Sequence, residues 1–199
     1  FLMPESDYLP EGRQNFIFGI VLPPPGQSVE SSRTEFTDIV SDLSASIPSA
    51  AYGYATYRDY AWKSLGSAGD LPFELQQQIT SDTAAVQLEL DATVTGGGGD
   101  GPESAMEGIF QALTGEGFDQ EGDGIYDPSV DVVPFSTSSD AVFGGAAGTT
   151  YDPAVIGGGD LGGMGFRDGS LPVIVYATDA YLRDPDSGYE FPIDATYVA

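Results

Sequence analysis

The sequence predicts an α/β protein with a mainly parallel central sheet, helices on both faces of that sheet, and a long irregular loop insertion. Three observations support this prediction. Two continuous apolar runs, residues 15–22 and 171–177, have the composition of strands that are buried on both faces. Helical patterns alternate with strand patterns along the chain. Residues 118–169 contain many Gly, Asp and Ser residues and little regular periodicity, which is typical of a functional loop.

Four strands are predicted, with helical segments between some of them. The strand candidates cover residues 15–22, 51–57, 73–79 and 171–177. A helix is expected after Ser32 and Glu35, which have the spacing of a capping box, and Pro48 ends it. Residues 83–95 are ambiguous, because their apolar positions alternate as in a strand, whereas Ser81 or Asp82 would make a good helix N-cap.

A glycine-rich loop at residues 96–103 precedes the next predicted helix, which extends to Thr114. Four consecutive glycines let the backbone turn tightly or approach another group closely. Pro102 has the fixed φ of a first helical position. The loop is therefore expected to present Asp100 and Glu103 at a helix N-terminus. The simpler interpretation is that these carboxylates only favour the positive end of the helix dipole.

The composition restricts the classes of function. The chain has 31 acidic and 6 basic residues, a formal net charge of −25. Nucleic acids and anionic membranes require a basic surface, so neither is expected as a partner. The chain has no cysteine and no histidine. Thiolate chemistry and Ser-His-Asp or Cys-His triads are thereby excluded, and we expect a non-enzymatic protein. No apolar run reaches transmembrane length, so no membrane insertion is predicted.

Several motifs together resemble the von Willebrand factor type A domain. They are Thr178 and Asp179 after an apolar strand, the sequence Asp-x-Pro-Glu at residues 100–103, and the strand–loop–helix order at the start. The Asp-x-Pro-Glu form is similar to that of integrin β subunits, and residues 162–180 resemble the fourth-strand region of secreted bacterial members. The resemblance covers roughly residues 15–183. It implies a von Willebrand A-like, Rossmann-like fold.

That family binds a divalent cation at a metal-ion-dependent adhesion site, at the carboxyl ends of the strands. The resemblance implies that Glu103 and Asp179 supply two elements of the site and that Asp100 belongs to an adjacent cation site. The family's Asp-x-Ser-x-Ser element is missing, because two prolines and a glutamine occupy its positions in residues 23–27. Mg²⁺ demands near-ideal octahedral geometry, so this degenerate site is not expected to hold it. The predicted partner-binding residues are Ser28, Asp100, Glu103 and Asp179.

A second acidic motif is expected to bind Ca²⁺. Carboxylates occupy its positions 1, 3, 5 and 9, and Gly124 occupies position 6, as in EF-hand calcium loops. The acid of position 12 is missing, since Val130 stands there and Asp131 follows one residue later. The alternative is a solvated acidic turn, which Asp-Gly pairs often form. The predicted calcium ligands are Asp119, Glu121, Asp123 and Asp127.

These observations predict a non-enzymatic interaction or adhesion module, outside the cell or on its surface, that calcium stabilises. The alternative is a structural subunit of a self-assembling surface layer or filament, so the partner is another protein or a further copy of the chain. Residues 1–14 are expected to form an arm and residues 15–199 the domain, with the insertion at 118–169. Two further strand–helix units would need roughly 30 residues each, so the domain is expected to be truncated at its C-terminal end.

Overall fold

The computed structural model describes residues 14–21, 29–61, 65–94, 101–138, 151–178 and 181–183. These residues form six strands, three α-helices and one turn of 3₁₀-helix. In chain order the elements are β1 (Gln14–Val21), α1 (Val29–Ser46), β2 (Ala51–Thr56), β3 (Glu74–Thr80), α2 (Thr83–Ala92), β4 (Pro102–Glu103), α3 (Ala105–Thr114), the 3₁₀ turn (Gly162–Met164), β5 (Leu171–Ala177) and β6 (Tyr181–Leu182).

The strands form two separate sheets. The larger sheet has four strands in the order β3-β2-β1-β5. Strand β1 pairs in parallel with β2 and with β5, whereas β3 runs antiparallel to β2. The two-residue strands β4 and β6 form a small parallel sheet of their own. The second sheet joins the segment before α3 to the segment after β5.

The predicted fold class, a mainly parallel central sheet with helices on both faces, is wrong. The described chain has only short strands in two small sheets, and one pairing in the larger sheet is antiparallel. Strand β3 is antiparallel because no helix lies among the described residues between β2 and β3. A parallel neighbour usually needs a helical crossover. Prediction from the apolar runs located the strands but could not supply their directions.

The two faces of the larger sheet are covered differently. Alternate residues of β2 point to opposite faces, and Tyr52 and Tyr54 pack with residues of α1 and α2, including Phe36 and Leu90. Ala51 and Ala55 belong to the other cluster, which contains one residue of α3 and side chains from irregular segments, including Phe73, Val132, Met164 and Phe166. Helices therefore cover one face, while irregular chain supplies much of the other.

Within the ambiguous segment at residues 83–95, Thr83–Ala92 forms helix α2. The Asp82 carboxylate accepts hydrogen bonds from the backbone N–H groups of Ala84 (3.0 Å) and Ala85 (3.4 Å) and so caps the helix. Val86 and Leu90, one helical turn apart, are buried, whereas Leu88 between them is 68% exposed. The apolar alternation that resembled a strand thus leaves two large apolar side chains in solvent, Leu88 and Val94.

Three local predictions need correction. Helix α1 begins at Val29, so Ser32 is inside the helix and is not its N-cap. Pro102 is not a first helical position, because it pairs with Tyr181 in the small sheet and α3 begins at Ala105. Strand β5 is not buried on both faces: Leu171 is 49% exposed and Tyr176 is 46% exposed. An edge position in the described sheet explains this exposure.

Several predicted features lie outside the described residues. They include residues 1–13 of the arm, the glycines before residue 101, and residues 184–199. Among the helices that the structure describes, none is both long enough and apolar enough to cross a membrane.

Candidate functional site

Glu103 is the only residue of the predicted adhesion site that the structure describes. Ser28, Asp100 and Asp179 lie outside the described residues. Glu103 belongs to β4, where it pairs with Leu182, and its carbonyl accepts a hydrogen bond of 2.9 Å from the Arg183 backbone N–H. Glu103 thus lies in a short strand directly before Ser104, the N-cap of α3, and not within the helix itself. The structure does bring Glu103 next to the short strand that follows Asp179 in the chain.

A buried arginine, which the sequence analysis missed, holds this region together. The Arg183 side chain is fully buried and forms an ion pair with the equally buried Asp59. Its Nε donates to Asp59 Oδ1 at 3.2 Å, and its Nη2 donates to the Pro102 carbonyl at 3.0 Å. Arg183 thus links the end of β6 to β4 and to the segment after β2. We call Arg183, Asp59 and the Pro102 carbonyl the arginine clasp.

One sequence signal could have pointed to the clasp. The chain has only 6 basic residues among 199, so each one is a candidate for a specific pairing. A buried guanidinium needs a carboxylate partner, because an isolated buried charge is very costly. The sequence did not show which of the 31 acids would be that partner.

The predicted calcium loop, residues 119–131, is a hydrogen-bonded turn that we call the acidic loop. Asp119 Oδ1 accepts from the Gly122 N–H at 2.7 Å, and Asp119 Oδ2 accepts from the Gly124 N–H at 2.8 Å. Both glycines have positive φ, +70° and +82°, a conformation that other residues rarely adopt. The bond from Gly124, followed by other backbone bonds, holds the pKa of Asp119 below its ordinary value.

The acidic loop is anchored by a buried carboxylate. Asp131 is 1% exposed, and its two oxygens accept from the N–H groups of Gln120 and Asp127, both at 2.8 Å. The Gln120 side chain then accepts from the Ala61 N–H at 2.9 Å and donates to the Asp70 carbonyl at 3.2 Å. Asp131 stands one residue after position 12 of the calcium motif. In the structure it braces the two ends of the loop and fixes the loop to the protein body.

The predicted calcium ligands do not converge on one point. Asp123 Oδ1 accepts from the Ile125 N–H at 2.8 Å. Asp127 Oδ1 accepts from the N–H and the hydroxyl of Ser129, which lower the pKa of Asp127. Within the described ranges, no group of three or more acidic residues is arranged to hold a metal ion. Glu121 is exposed. Calcium binding by this loop stays a prediction.

The base of the acidic loop rests on α3. Phe118 and Val132 exchange two backbone hydrogen bonds, of 2.7 and 3.0 Å, and so close the loop. The Gln111 amide holds the preceding residue, because it accepts from the Gly117 N–H at 2.8 Å and donates to the Gly117 carbonyl at 3.0 Å. The Phe118 ring packs against Tyr60, with ring centroids 5.4 Å apart. These contacts fix the base of the acidic loop to the rest of the protein.

An acidic side chain lies beneath this base. Glu107 is 1% exposed, and its Oε1 accepts from the same Gln111 amide at 2.7 Å. Burial raises the pKa of Glu107 to about 7, although the Gln111 bond opposes the shift. Glu107 Oε2 and the Tyr60 hydroxyl are both buried and have no hydrogen-bond partner within the described part of the chain.

At its outer end the acidic loop exposes two apolar side chains. Ile125 is 67% exposed and Tyr126 is 42% exposed, directly between Asp123 and Asp127. The turn that carries them is held by the carboxylate bonds described above. Exposed apolar residues on a fixed loop are typical of a contact surface.

Comparison with known proteins adds no assignment. No protein-family model matches the chain, and no curated protein gives a significant match. The resemblance to the von Willebrand factor type A family therefore rests on the sequence motifs alone.

Proposed function

We propose that this chain is a non-enzymatic protein-interaction module and that the acidic loop is its contact surface. The observation that carries the proposal is the exposure of Ile125 and Tyr126 on a loop that is otherwise fully braced. Exposed apolar area is unfavourable in water, and the fold leaves 67% of Ile125 and 42% of Tyr126 uncovered. A binding partner that covers them provides a reason for the arrangement.

The rigidity of the loop supports this proposal. A loop that is already ordered loses little conformational entropy on binding, so more of the contact energy appears as affinity. Asp119 and Asp131 order the turn through backbone donors, and Gln120 fixes the turn to the body. The same bonds leave Ile125 and Tyr126 pointing outward in one defined arrangement.

The composition supports binding over catalysis. The chain offers no histidine and no cysteine as a general base or nucleophile. With a net charge of −25, it will favour a partner that carries positive charge beside an apolar pocket. The proposed location, outside the cell or on its surface, follows from the sequence prediction of an adhesion-type module.

The test places a photo-crosslinking amino acid at position 125 and, as a matched control, at position 156. Ile156 is 75% exposed and lies outside the acidic loop. We expect one discrete adduct from position 125, formed in the cells that produce the protein. Excess wild-type chain should compete with it, whereas the variant Ile125→Ser/Tyr126→Ser should not. That variant should keep the wild-type melting temperature, because both side chains are exposed.

Equal adducts from positions 125 and 156, or none from position 125, would contradict the proposal. An adduct of twice the chain mass would show that the chain binds its own copies. That result would favour the alternative function, a subunit of a self-assembling layer or filament.

A further inference from the structure

We propose that Glu107 is a proton-operated support for the acidic loop: in its neutral form it packs beneath the base of the loop, and its ionisation loosens that base. The inference rests on the proposed function for its biological meaning, since it assigns a form of regulation to the same contact surface. The loosening of the loop base itself depends only on the residues around Glu107.

Glu107 is buried in α3 and is connected through Gln111 to the start of the acidic loop. It lies in the first turn of α3, is 1% exposed, and accepts a hydrogen bond from the Gln111 side chain. Gln111 also makes both bonds to Gly117, the residue before the loop. One amide therefore connects the Glu107 carboxyl to the start of the acidic loop.

Tyr60 provides a second connection between Glu107 and the base of the acidic loop. Tyr60 is fully buried, and its surroundings include Glu107, Asp59 and Arg183. The Tyr60 ring contacts Phe118, which is paired with Val132 across the loop base. Both neighbours of the Glu107 carboxyl, Gln111 and Tyr60, thus touch the residues from which the loop extends.

The titratable and charged groups near Glu107 come from two other segments of the chain. Tyr60 and Asp59 approach from the segment after β2, and Arg183 approaches from the end of β6. Asp59 and Arg183 form an ion pair with each other, so the charge of Arg183 is already matched. Glu107 has no cation of its own within the described residues, and its second oxygen is buried without a partner. A neutral carboxyl suits this site, whereas a carboxylate is costly there.

The direction of the pH effect follows from linkage. The pKa of Glu107 is raised from 4.5 to about 7 in the folded protein, so the closed loop base binds the proton more tightly than an opened one. The stabilisation is complete below pH 4.5, decreases as the pH rises towards 7, and is lost above it. Near neutral pH, a small change in acidity changes the population of the opened base.

Amide hydrogen exchange of Phe118 and Val132 tests this inference without any partner. After correction for intrinsic exchange, we expect wild-type protection to fall roughly tenfold or more between pH 5 and pH 8, since one pKa unit corresponds to a tenfold change. Glu107→Gln, which keeps a neutral side chain of the same shape, should show no such fall. Glu116→Gln removes an exposed carboxyl near the loop and should behave like the wild type.

A fall of the same size in Glu107→Gln, or no fall in the wild type, would overturn the inference. If Glu107→Gln does not fold, NMR titration of the Glu107 carboxyl carbon in the wild type gives the answer. A midpoint near 7 supports the inference, and one near 4.5 refutes it. The crosslinking experiment at position 125 can fail independently, so failure of the support and failure of the contact surface are distinguishable.

Discussion

The arginine clasp and the acidic loop both contain carboxylates that the fold holds in place, but the partners of those carboxylates differ. In the clasp, Asp59 is completely buried and is matched by the guanidinium of Arg183. In the loop, Asp119 and Asp127 lie at the surface and are held by backbone N–H donors of their own turn. The comparison teaches that burial makes the partner decisive: a buried carboxylate needs a cation, several well-placed N–H donors or a proton of its own, whereas water can help to satisfy an exposed one.

Asp131 and Glu107 lie between these extremes. Asp131 is buried but accepts two backbone N–H bonds from within the loop. Glu107 is equally buried but accepts one side-chain amide bond, and its pKa is raised to about 7. Asp131 therefore has both oxygens satisfied by donors, whereas the second oxygen of Glu107 has no hydrogen-bond partner among the described residues.

Breaking the clasp should give the largest effect on stability. Arg183→Met leaves Asp59 as a buried carboxylate without its cation, and we expect a loss of about 3–5 kcal/mol in the free energy of unfolding. The matched control is Arg58→Met, because Arg58 is 34% exposed and lies 3.8 Å from Asp70. Asp70 itself is 3% exposed, but it also accepts a hydrogen bond from the Ser67 N–H at 2.7 Å, so this wider pair should contribute less than the clasp. Urea unfolding monitored by circular dichroism measures both changes.

Similar losses for the two arginine variants would show that the clasp has no special role. A double variant, Arg183→Met/Asp59→Leu, sharpens the result. Removing both charges should restore part of the lost stability, since apolar residues often replace a buried pair without loss.

Removing the brace of the acidic loop should give an intermediate effect. Asp131→Ala leaves the N–H groups of Gln120 and Asp127 without their acceptor. Because both hydrogen bonds are only partly buried, water can replace part of them, and we expect a total loss of roughly 1–3 kcal/mol. Asp123→Ala, on the exposed side of the same loop, should change the unfolding free energy by no more than about 0.5 kcal/mol. Equal effects from Asp131→Ala and Asp123→Ala would mean that burial does not distinguish the two carboxylates.

The sequence predicted the positions of the strands better than their arrangement. The run at residues 171–177 coincides with β5, because a continuous apolar run favours a strand wherever it packs. The direction of β3 depends on the connection from β2, and its pattern of apolar residues carries no information about that direction. Pro102 illustrates the same limit. Its fixed φ suits a helix start, but it also suits a strand that pairs with a segment some eighty residues later.

The candidate site shows the same limit: its local turn follows from the sequence pattern, whereas its long-range contacts do not. The acidic spacing and Gly124 predicted a calcium loop, with a solvated acidic turn as the alternative. The structure has a hydrogen-bonded turn there, because Asp and Gly determine turn geometry locally, and calcium binding stays a prediction. The clasp, the brace at Asp131 and the support at Glu107 depend on contacts between residues far apart in the sequence. Asp59 and Arg183, separated by 124 positions, are the clearest example. Nothing in the local pattern around Glu107 shows that its side chain is buried and only half satisfied.

Adding calcium should give the smallest effect on stability. This experiment tests whether the acidic loop, unlike the clasp, needs no cation. The loop carboxylates already accept N–H bonds, and they do not converge. An ion would have to share oxygens that hold the turn. We therefore expect weak binding, with a dissociation constant of about 10⁻⁴–10⁻³ M, as in extracellular modules. Thermal unfolding should then shift only at millimolar Ca²⁺ and should follow mass action.

Isothermal titration calorimetry on the wild type and on Asp123→Ala measures the binding directly. Asp123 is the right position for this substitution, because it removes a predicted ligand without touching the brace at Asp131. The heat and the thermal shift should both disappear in the variant, whereas Asp152→Ala, an exposed carboxylate outside the loop, should bind like the wild type. Micromolar affinity would show that the side chains of Glu121 and Asp123 turn inward to form a complete ligand set. The acidic loop would then depend on a cation as the clasp does, and the contrast between the two regions would be lost.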